Sequence, residues 1–451
     1  MSVALHDRTT VNESTDALRE HLRQGYAAYT YAYPHKSAYR PFGVPMPLAQ
    51  LWQAEQRQDL FLYLHIPFCH YRCGFCNLFT LGAPGQSLVD AYIEGLERQI
   101  RVTAAAIGPH RITRMAIGGG TPSFLSVAQF DTLLATLHRH FHLEAPHRSF
   151  AIEVAPDSAS SERLRSYRDA GVTRISMGMQ SVVDAELDAL ARPRLHGAAI
   201  EAIANIRELD FASLNVDLIY GIEGQTESSF LASLDTILAQ APDELYLYPL
   251  YVRQLTGLAK ANRTRGLCNR TQLYQAGTAR LRESGFLQSS TRLFRRAAGT
   301  PGDEFACQTI GTVGLGAGAR SYTRAAHYSE EYAVSRGATK AIIQDYSLRT
   351  ETDFSNARYG ILLDESERKR RYLLQSLLMW PGVDLAGYRE QFANSLGRDF
   401  PELASLVELG LAQDDGRHFA LTEAGMASAD AIGPWLYSAE VRQRMGSYAW
   451  R

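Results

Sequence analysis

The chain has 451 residues, of which 45% are apolar and 21% are charged, so it is long enough for two or three domains with a large buried core. The 46 Lys and Arg residues nearly balance the 48 Asp and Glu residues, and the formal charge of -2 argues against broad electrostatic binding of nucleic acid or anionic membrane. The sparse set of five cysteines, the lack of a secretory signal and the lack of an apolar run of about 18 residues predict a soluble, cytoplasmic protein without a disulfide framework.

The amino-terminal residues 1–55 are mixed in character. Within them, the stretch 26–47 is dense in Tyr and Pro and has no clear period. This composition predicts an irregular arm that packs on the following domain. This arm could have a purely structural role, packing around the domain, or it could cover a bound substrate.

From residue 60 to about 252, short apolar runs alternate with amphipathic helical stretches. The runs are FLYLHI (61–66), RMAIGG (114–119), FAIEVA (150–155), RISMGM (174–179), LNVDLIYG (214–221) and ELYLYPLY (244–251). This alternation predicts a parallel α/β sheet, and six units are too few for a complete eight-unit barrel. An open partial barrel and a doubly wound sheet both fit, and in either the active site lies at the carboxyl ends of the strands.

The remaining residues divide into two parts. Residues 253 to about 345 are less regular and contain the Gly-rich run 311–323, whereas the pattern from about 362 is helical and ends in a short polar turn between apolar segments. The last part resembles a winged-helix module, but its local charge does not favour nucleic-acid binding, so we expect a structural or substrate-capping role. The predicted division is an arm (1–55), a barrel with a Gly-rich extension (56–345) and a carboxy-terminal domain (346–451).

The strongest chemical signal is a set of three cysteines, Cys69, Cys73 and Cys76, directly after the first predicted strand. Three thiolates on one short loop can hold three corners of a [4Fe–4S] cluster. The fourth iron then lacks a protein ligand and can take an exchangeable ligand from a substrate or cofactor. The spacing therefore predicts an iron–sulfur site.

Zinc is the alternative for this loop. It requires a fourth ligand, for which His65 and His70 are the nearest candidates. The two remaining cysteines, Cys268 and Cys307, match no ligand pattern, and we predict that they are structural.

The cysteine segment, with Phe75 before the third cysteine, resembles the signature of radical S-adenosylmethionine enzymes. HIPFC, GGGTPS, IEVAP, RISMGMQS and NVDLIYG are similar in order and spacing to the oxygen-independent coproporphyrinogen-oxidase-like branch of that family, over about residues 60–320. The resemblance implies a partial (β/α)6 TIM-like barrel with an α-rich, winged-helix-like carboxy-terminal domain. It also implies a [4Fe–4S] cluster and two S-adenosylmethionine molecules.

The same resemblance implies which residues form the site. Tyr63 and Glu153 match positions beside the first S-adenosylmethionine and are the candidate catalytic residues, and Gly119 matches a further contact to that molecule. Contacts to the second molecule are matched by Phe75, Gly120, Thr121, Gln180, Arg192 and Asp217. Tyr251 and Arg320 match positions that contact the cofactors mainly through the backbone.

Three departures from this branch bear on the reaction. Leu78 stands where coproporphyrinogen oxidases carry a further cysteine, and Glu223 replaces the proline of a GLPxQT motif. The stretch FACQTIGTVG (305–314) does not match the HNxxYW motif of the related haem chaperones. These differences argue against work on tetrapyrroles and favour the class C radical methyltransferases that share the scaffold.

We therefore predict a class C radical methyltransferase acting on an sp2 carbon of a natural product, such as a thiazole or other heteroaromatic ring of a modified peptide. In that class a 5′-deoxyadenosyl radical activates the methyl group of the second cofactor, and a flavodoxin- or ferredoxin-type protein supplies electrons. Tyr63, Glu153 and the tyrosines at 246, 248 and 251 are candidates for the base. The alternatives are a radical cyclopropanase, an oxygen-independent coproporphyrinogen III oxidase and a haem chaperone or haem-binding protein.

Overall fold

The computed structural model describes residues 14–26, 30–144, 149–261, 269–297 and 311–451. Its strands are β1 (Arg40–Pro47), β2 (Leu60–Ile66), β3 (Phe68–Cys69), β4 (Leu81–Gly82), β5 (Ile112–Gly119), β6 (Ser149–Val154), β7 (Arg174–Gln180), β8 (Ser213–Tyr220), β9 (Glu244–Pro249), β10 (Phe286–Gln288), β11 (Leu293–Arg296), β12 (Gly311–Leu315), β13 (Arg320–Tyr322), β14 (Ala326–Ser329), β15 (Asn356–Leu362), β16 (Val383–Asp384), β17 (Ala412–Asp414) and β18 (His418–Leu421).

The helices of the described residues begin with α1, over 14–24. The others are α2 (Leu48–Leu51), α3 (Gln86–Ile107), α4 (Val127–His140), α5 (Ser161–Asp169), α6 (Asp184–Ala189), α7 (His196–Glu208), α8 (Glu227–Leu238), α9 (Gly257–Lys260), α10 (Arg270–Glu283), α11 (Arg336–Leu348), α12 (Glu351–Phe354), α13 (Glu365–Leu377), α14 (Leu385–Phe392), α15 (Leu396–Asp399), α16 (Ala404–Glu408), α17 (Glu423–Ala427), α18 (Ala429–Trp435) and α19 (Ala439–Gly446). None of the described helices is long and apolar enough to cross a membrane.

One large sheet dominates the described part of the chain, with the strand order β1-β15-β14-β13-β12-β2-β5-β6-β7-β8-β9-β11-β10. Its centre, from β2 to β9, contains the six predicted strands as parallel neighbours in chain order. Long apolar runs suit these strands because helices cover their outer face while the inner face lines the barrel. The predicted partial α/β barrel is confirmed.

The inner face of the barrel carries the polar residues of the strands. In the register of the sheet, His65 on β2 is paired with Gly118 on β5. Ser176 on β7 is paired with Glu153 on β6 and with Asn215 on β8. Side chains alternate between the two faces of a strand, so residues two positions apart share a face. The outer face, represented by Leu64, Ile117, Ile152, Ile175 and Leu214, is buried in the main core.

Two segments that the sequence predicts to be irregular form strands. Within the amino-terminal arm, Arg40–Pro47 pairs antiparallel with β15. Within the Gly-rich run, Gly311–Leu315 pairs parallel with β2 and extends the parallel sheet by one strand. The arm also places Tyr33 and Tyr39 in the core of the carboxy-terminal region.

The carboxy-terminal region is helical, as expected. Helices α13, α14 and α16 are followed by the hairpin β17–β18, which β16 completes as a small antiparallel sheet. A second hydrophobic core lies here, separate from the core of the barrel. The domain boundaries at residues 55 and 345 remain predictions.

Candidate active site

The cysteine loop begins at the carboxyl end of β2. Its base is closed by the short parallel pair β3–β4, in which the backbone N–H of Ala83 donates to the carbonyl of Cys69 at 2.8 Å. A turn between Cys73 and Cys76, with an N–H···O distance of 3.1 Å, brings the other two cysteines together. All three are free thiols and are partly buried.

The groups around the thiols favour thiolates bound to metal. Arg192 Nη1 donates to Cys73 Sγ at 3.2 Å, and Thr121 Oγ1 donates to Cys69 Sγ at 3.5 Å. Burial raises the pKa of Cys69 to about 12 and also raises the pKa of Cys73, which the Arg192 guanidinium partly offsets. Bound iron would reverse this effect because a metal ion stabilises the thiolate directly. The donor set therefore fits an iron–sulfur cluster.

The geometry does not favour the zinc alternative. Among the described residues, no three His, Cys, Asp or Glu side chains are grouped around one point as a single ion requires, whereas each thiolate of a cluster binds a different iron. His65 has both ring nitrogens within hydrogen-bond distance of other groups, and His70 packs its ring 4.8 Å from that of Phe124. Cys268 and Cys307, predicted to be structural, lie outside the described residues.

The glycine run at the end of β5 fits tightly between Glu153 and the cysteine loop. A Cβ atom on Gly118 would lie 2.8 Å from Glu153 Oε1, and one on Gly120 would lie 2.8 Å from Cys69 Sγ. Gly119 has φ +125°, a conformation that side-chain-bearing residues rarely adopt, and its N–H donates to Glu153 Oε2 at 3.1 Å. The run therefore brings bare backbone to the point where a ligand would meet the cysteines.

We expect Gly120→Ala to lower the iron content of the reconstituted protein by half or more. The new methyl group would lie 2.7 Å from the Phe68 carbonyl oxygen as well as against Cys69, and backbone cannot move aside as a flexible side chain can. Iron and sulfide assays of the purified variant measure the effect. Gly85→Ala is the matched control, since nothing lies within 4 Å of that position, and equal iron in both variants would contradict the expectation.

Glu153 is the carboxylate closest to the glycine run. Its side chain is accessible to solvent inside the barrel, yet protein surrounds it, and this desolvation raises its pKa to about 7 against the lowering effect of the Gly119 N–H. The charge on nearby Asp217 raises the pKa further. Glu153 therefore changes charge near neutral pH, which suits a residue that binds a cation or accepts a proton.

Tyr63 is held as a hydrogen-bond donor. His65 Nε2 lies 2.9 Å from the Phe79 carbonyl oxygen and must donate to it, so Nδ1, 3.2 Å from the Tyr63 hydroxyl, is the acceptor. Burial lowers the pKa of His65 to about 4, which keeps the ring neutral, and burial together with Glu153 raises the pKa of Tyr63. Of the two predicted catalytic residues, Glu153 is the better proton acceptor, and Tyr63 presents its oxygen lone pairs.

A second polar group lies further round the barrel, centred on Asp217. Asn215 Nδ2 donates to Asp217 Oδ1 at 2.7 Å and lies 2.8 Å from Ser176 Oγ, while Asn215 Oδ1 is buried without a partner. Burial raises the pKa of Asp217 to about 6. An unpartnered buried acceptor beside a carboxylate fits a ligand that carries hydroxyl or amino groups.

Gln180 and Arg192 lie at the carboxyl end of β7. Arg192 donates to the carbonyl of Gly178 as well as to Cys73, so it links this strand to the cysteine loop. Gln180 has φ +72° at a shift in the β7–β8 register, and its amide lies over Gly178. The structure thus brings both predicted residues to the strand edge between Asp217 and the cysteines.

The remaining predicted residues surround this centre. Phe75 packs on the small apolar cluster that includes Leu190 and Leu258. Tyr251 turns its hydroxyl toward Arg292, 3.3 Å away, and so away from a role as base. Two further candidate bases, the tyrosines at 246 and 248, stack on each other with ring centroids 5.4 Å apart.

Sequence reasoning missed two groups near the site, Lys36 and the side chain of Arg320. Lys36 is buried and lies over the ring of Tyr332, whose hydroxyl donates to the carbonyl of Asn77, directly after the cysteine loop. The one available signal was a lysine within the aromatic arm. Without the fold, nothing places that arm beside residue 332.

One surface groove lies away from this centre. It has a volume of about 680 Å³ and lies at the amino-terminal ends of β2, β5 and β6, on the edge of the sheet opposite the cysteine loop. Its charged and titratable lining residues are Arg101, His110, Arg111, Arg139, His140 and His142. The chemistry of the cysteines is therefore separate from this groove.

Comparison with protein families and relatives agrees with the geometry. Residues 63–237 match the family model described as the radical SAM superfamily. The chain is 35% identical over 240 residues to the heme chaperone HemW of Mycobacterium tuberculosis, covering 51% of this chain and 60% of that one. It is 33% identical over 227 residues to the oxygen-independent coproporphyrinogen III oxidase of Salmonella typhimurium, covering 49% of each. The chain thus spans only about half to three fifths of the length of these two relatives.

Longer but weaker matches cover most of the chain. The oxygen-independent coproporphyrinogen III oxidase of Escherichia coli is 28% identical over 432 residues, which cover 88% of this chain and 91% of that one. Among solved structures, the coproporphyrinogen III oxidase HemN of Escherichia coli superposes with a TM-score of 0.76 at 24% identity, over 93% of this chain and 98% of the other. The two proteins share the fold.

Proposed function

We propose, from the match of residues 63–237 to the radical SAM family model, that the chain is a radical S-adenosylmethionine enzyme of the coproporphyrinogen-oxidase type, which abstracts hydrogen from a small organic substrate. The observation that supports it is one cluster of groups at the carboxyl edge of the barrel. There Cys69, on the loop that also carries Cys73 and Cys76, lies against the glycine run, and the Gly119 N–H donates to Glu153.

When bound at this edge, a reduced [4Fe–4S] cluster and S-adenosylmethionine together supply one-electron cleavage of a carbon–sulfur bond. The residues of the chain bind and orient. The glycine run Gly118–Gly120 leaves room for a ligand to lie close to the backbone. Glu153 would accept hydrogen bonds from the amino or hydroxyl groups of that ligand. We also propose that a second S-adenosylmethionine binds at Asp217 and Asn215. A flavodoxin- or ferredoxin-type protein would supply the electrons.

The relatives support the oxidase and chaperone alternatives better than the methyl transfer that the sequence departures favoured. The described relatives are coproporphyrinogen oxidases and heme chaperones, so transfer to a thiazole or other ring of a modified peptide has no support beyond those departures. Leu78 still separates this chain from the oxidases. It is 49% exposed, at the position where they carry a further cysteine.

A haem chaperone is the second candidate. The observation that favours it is the 35% identity to the Mycobacterium tuberculosis relative. Most of the region in which the sequence lacks HNxxYW, residues 305–310, lies outside the described residues. This candidate predicts binding of haem.

The deciding experiment uses anaerobically reconstituted, chemically reduced protein with S-adenosylmethionine and coproporphyrinogen III. We expect 5′-deoxyadenosine to form and the porphyrinogen to lose carbon dioxide. The same assay is repeated with producer-cell extract as the source of substrate. Formation of S-adenosylhomocysteine together with a methylated product would support methyl transfer instead. A haem-induced Soret shift without 5′-deoxyadenosine would favour the chaperone, and no S-adenosylmethionine cleavage by protein with an intact cluster would contradict the proposal.

We expect Asp217→Ala to keep the cluster but to weaken binding of a second S-adenosylmethionine by about tenfold or more, since a charged hydrogen bond contributes about 1.5–3 kcal/mol. Equilibrium binding of labelled S-adenosylmethionine measures the number of sites and their affinities. Asp169→Ala, at the exposed end of α5, is the matched control. Two unchanged sites in Asp217→Ala would remove that residue from the binding surface.

A further inference from the structure

Two buried or partly buried basic side chains beside the proposed active site have no anionic partner among the described residues. Lys36 is 8% exposed, and its Nζ lies 3.3 Å from the ring centroid of Tyr332. Within the described part of the chain, no carboxylate lies within 4.0 Å of Lys36 or of Arg320. Burial, together with the nearby Arg320 guanidinium, lowers the pKa of Lys36 well below its usual range, so Lys36 holds its proton here most readily when an anion lies beside it.

The neighbours of Arg320 are phenols. Its Nη1 donates to the hydroxyl of Tyr31 at 3.0 Å, and its Cζ lies 4.8 Å from the centroid of that ring. Burial lowers the pKa of its guanidinium, but the neighbouring Tyr31 and Tyr322 raise it by more, and an arginine stays protonated at any physiological pH. The side chain keeps further donors for a ligand, because a guanidinium has five N–H groups.

Both cations border the proposed active site. On the sheet, Gly314 pairs with Tyr63 on one side, and on the other it lies against the backbone of Arg320. Gly314 has no side chain, so no side chain at this position of β12 separates the Arg320 backbone from Tyr63. On the other flank, Lys36 reaches the cysteine loop through the ring of Tyr332, whose hydroxyl binds the backbone at Asn77.

Buried polar atoms without hydrogen-bond partners lie on the side of Arg320 that is remote from the cysteines. His327 is 1% exposed and has no hydrogen-bond partner for either ring nitrogen, and the buried hydroxyl of Tyr39 also lacks one. The His327 ring is tilted against that of Tyr322, with ring centroids 4.4 Å apart. Tyr322 lies two positions after Arg320 on β13 and therefore on the same face of the sheet. Buried polar atoms without partners are rare in folded proteins and mark a place for water or ligand.

We propose that Lys36 and Arg320, with His327 at their border, form an oxyanion subsite that holds a carboxylate or phosphate group of the substrate. The proposal rests on the proposed function and deepens it, since it gives the substrate an anionic group within reach of the cysteine loop. Two basic groups from separate segments, the arm and β13, would then both bind the substrate anion. None of the family motifs in the sequence includes these side chains.

The test measures binding of inorganic phosphate and of glutarate to the reconstituted protein by calorimetry, with S-adenosylmethionine saturating. We expect Lys36→Met and Arg320→Met each to weaken binding of the preferred probe by about tenfold or more, because each removes a charge-assisted hydrogen bond. Arg320→Lys keeps the charge and is expected to lose less. Lys340→Met, an exposed change on α11, is the control and is expected to bind as the wild type does.

The outcomes separate the sources of the anion. Tighter binding of phosphate assigns a phosphorylated substrate, and tighter binding of glutarate assigns a carboxylated one. Binding of neither probe to the wild type, or equal binding by the wild type and both methionine variants, would overturn the subsite. Loss of the probe as S-adenosylmethionine saturates would also overturn it, because the cations would then serve the cofactor's own carboxylate.

Failure of the subsite is distinct from failure of the proposed function. The latter appears in the wild-type chain as missing iron or missing cleavage of S-adenosylmethionine, which is measured without either probe. Circular dichroism of each variant checks its folding. If Lys36→Met does not fold, the comparison of Arg320→Met with Arg320→Lys still decides the outcome, because both retain a long side chain over Tyr31.

Discussion

Replacing Cys69, Cys73 and Cys76 together by alanine is expected to remove all cluster iron, about four ions per chain, and with it the broad absorption near about 400 nm. The three thiols are the free cysteines of the described residues, and they lie on the loop closed by β3 and β4. Cleavage of S-adenosylmethionine should fall below detection, since no group of His, Cys, Asp and Glu side chains among the described residues is arranged to bind a metal ion in their place.

The matched control is the pair of single changes Cys268→Ala and Cys307→Ala, which leave the loop intact and should keep both iron and colour. Iron and sulfide are measured after anaerobic reconstitution, alongside the absorption spectrum. A triple variant that kept its colour would show that the ligands had been wrongly assigned. Loss of iron in a control variant would give the cysteine concerned a role that the sequence did not predict.

Replacing Glu153 by glutamine is expected to weaken binding of S-adenosylmethionine by about tenfold to a hundredfold and to remove its dependence on pH near 7. Because desolvation raises the pKa of Glu153 to about 7, the carboxylate is present above this pH and is neutralised below it. Affinity in the wild type should therefore fall by about tenfold between pH 8 and pH 6.

The binding isotherm at several pH values measures both effects. Asp217, whose pKa is raised to about 6, and Arg174 act electrostatically on Glu153, so a second and smaller step is expected below pH 6. Glu162→Gln, in the exposed first turn of α5, is the control and should keep the wild-type profile. A wild-type affinity that does not change from pH 6 to pH 8 would rule out Glu153 as a direct ligand.

The barrel strands were predictable because each is a nearly unbroken apolar run, and such runs have few alternatives to a buried parallel strand. Arg40–Pro47 was not predictable in this way. It contains Pro41, Pro45 and Pro47, which lack a backbone N–H and therefore predict a loop. It nevertheless forms the edge strand of the sheet, where proline is tolerated. Gly311–Leu315 was missed because glycine and threonine dilute its apolar signal.

The candidate site shows the same division. The cysteines, the glycine run and Glu153 were found because short motifs carry them, and the structure places the glycine run between Cys69 and Glu153. Lys36 and Arg320 were not assigned side-chain roles. Lys36 and Arg320 come close to the site only because the amino-terminal arm packs near β13 in the folded chain. Such a tertiary contact is not encoded by any local sequence pattern.

The pairing of β1 with β15 has a consequence for how the protein is made. Arg40 lies opposite Gly360, so more than 300 residues separate partners that meet at the edge of one sheet. Ribosomes add about 5–20 residues per second, so the arm waits for tens of seconds before its partner strand emerges. By the end of that interval the barrel strands up to β9 and the cysteine loop have left the ribosome. The order of synthesis thus exposes the cysteine loop before the arm can pair with β15.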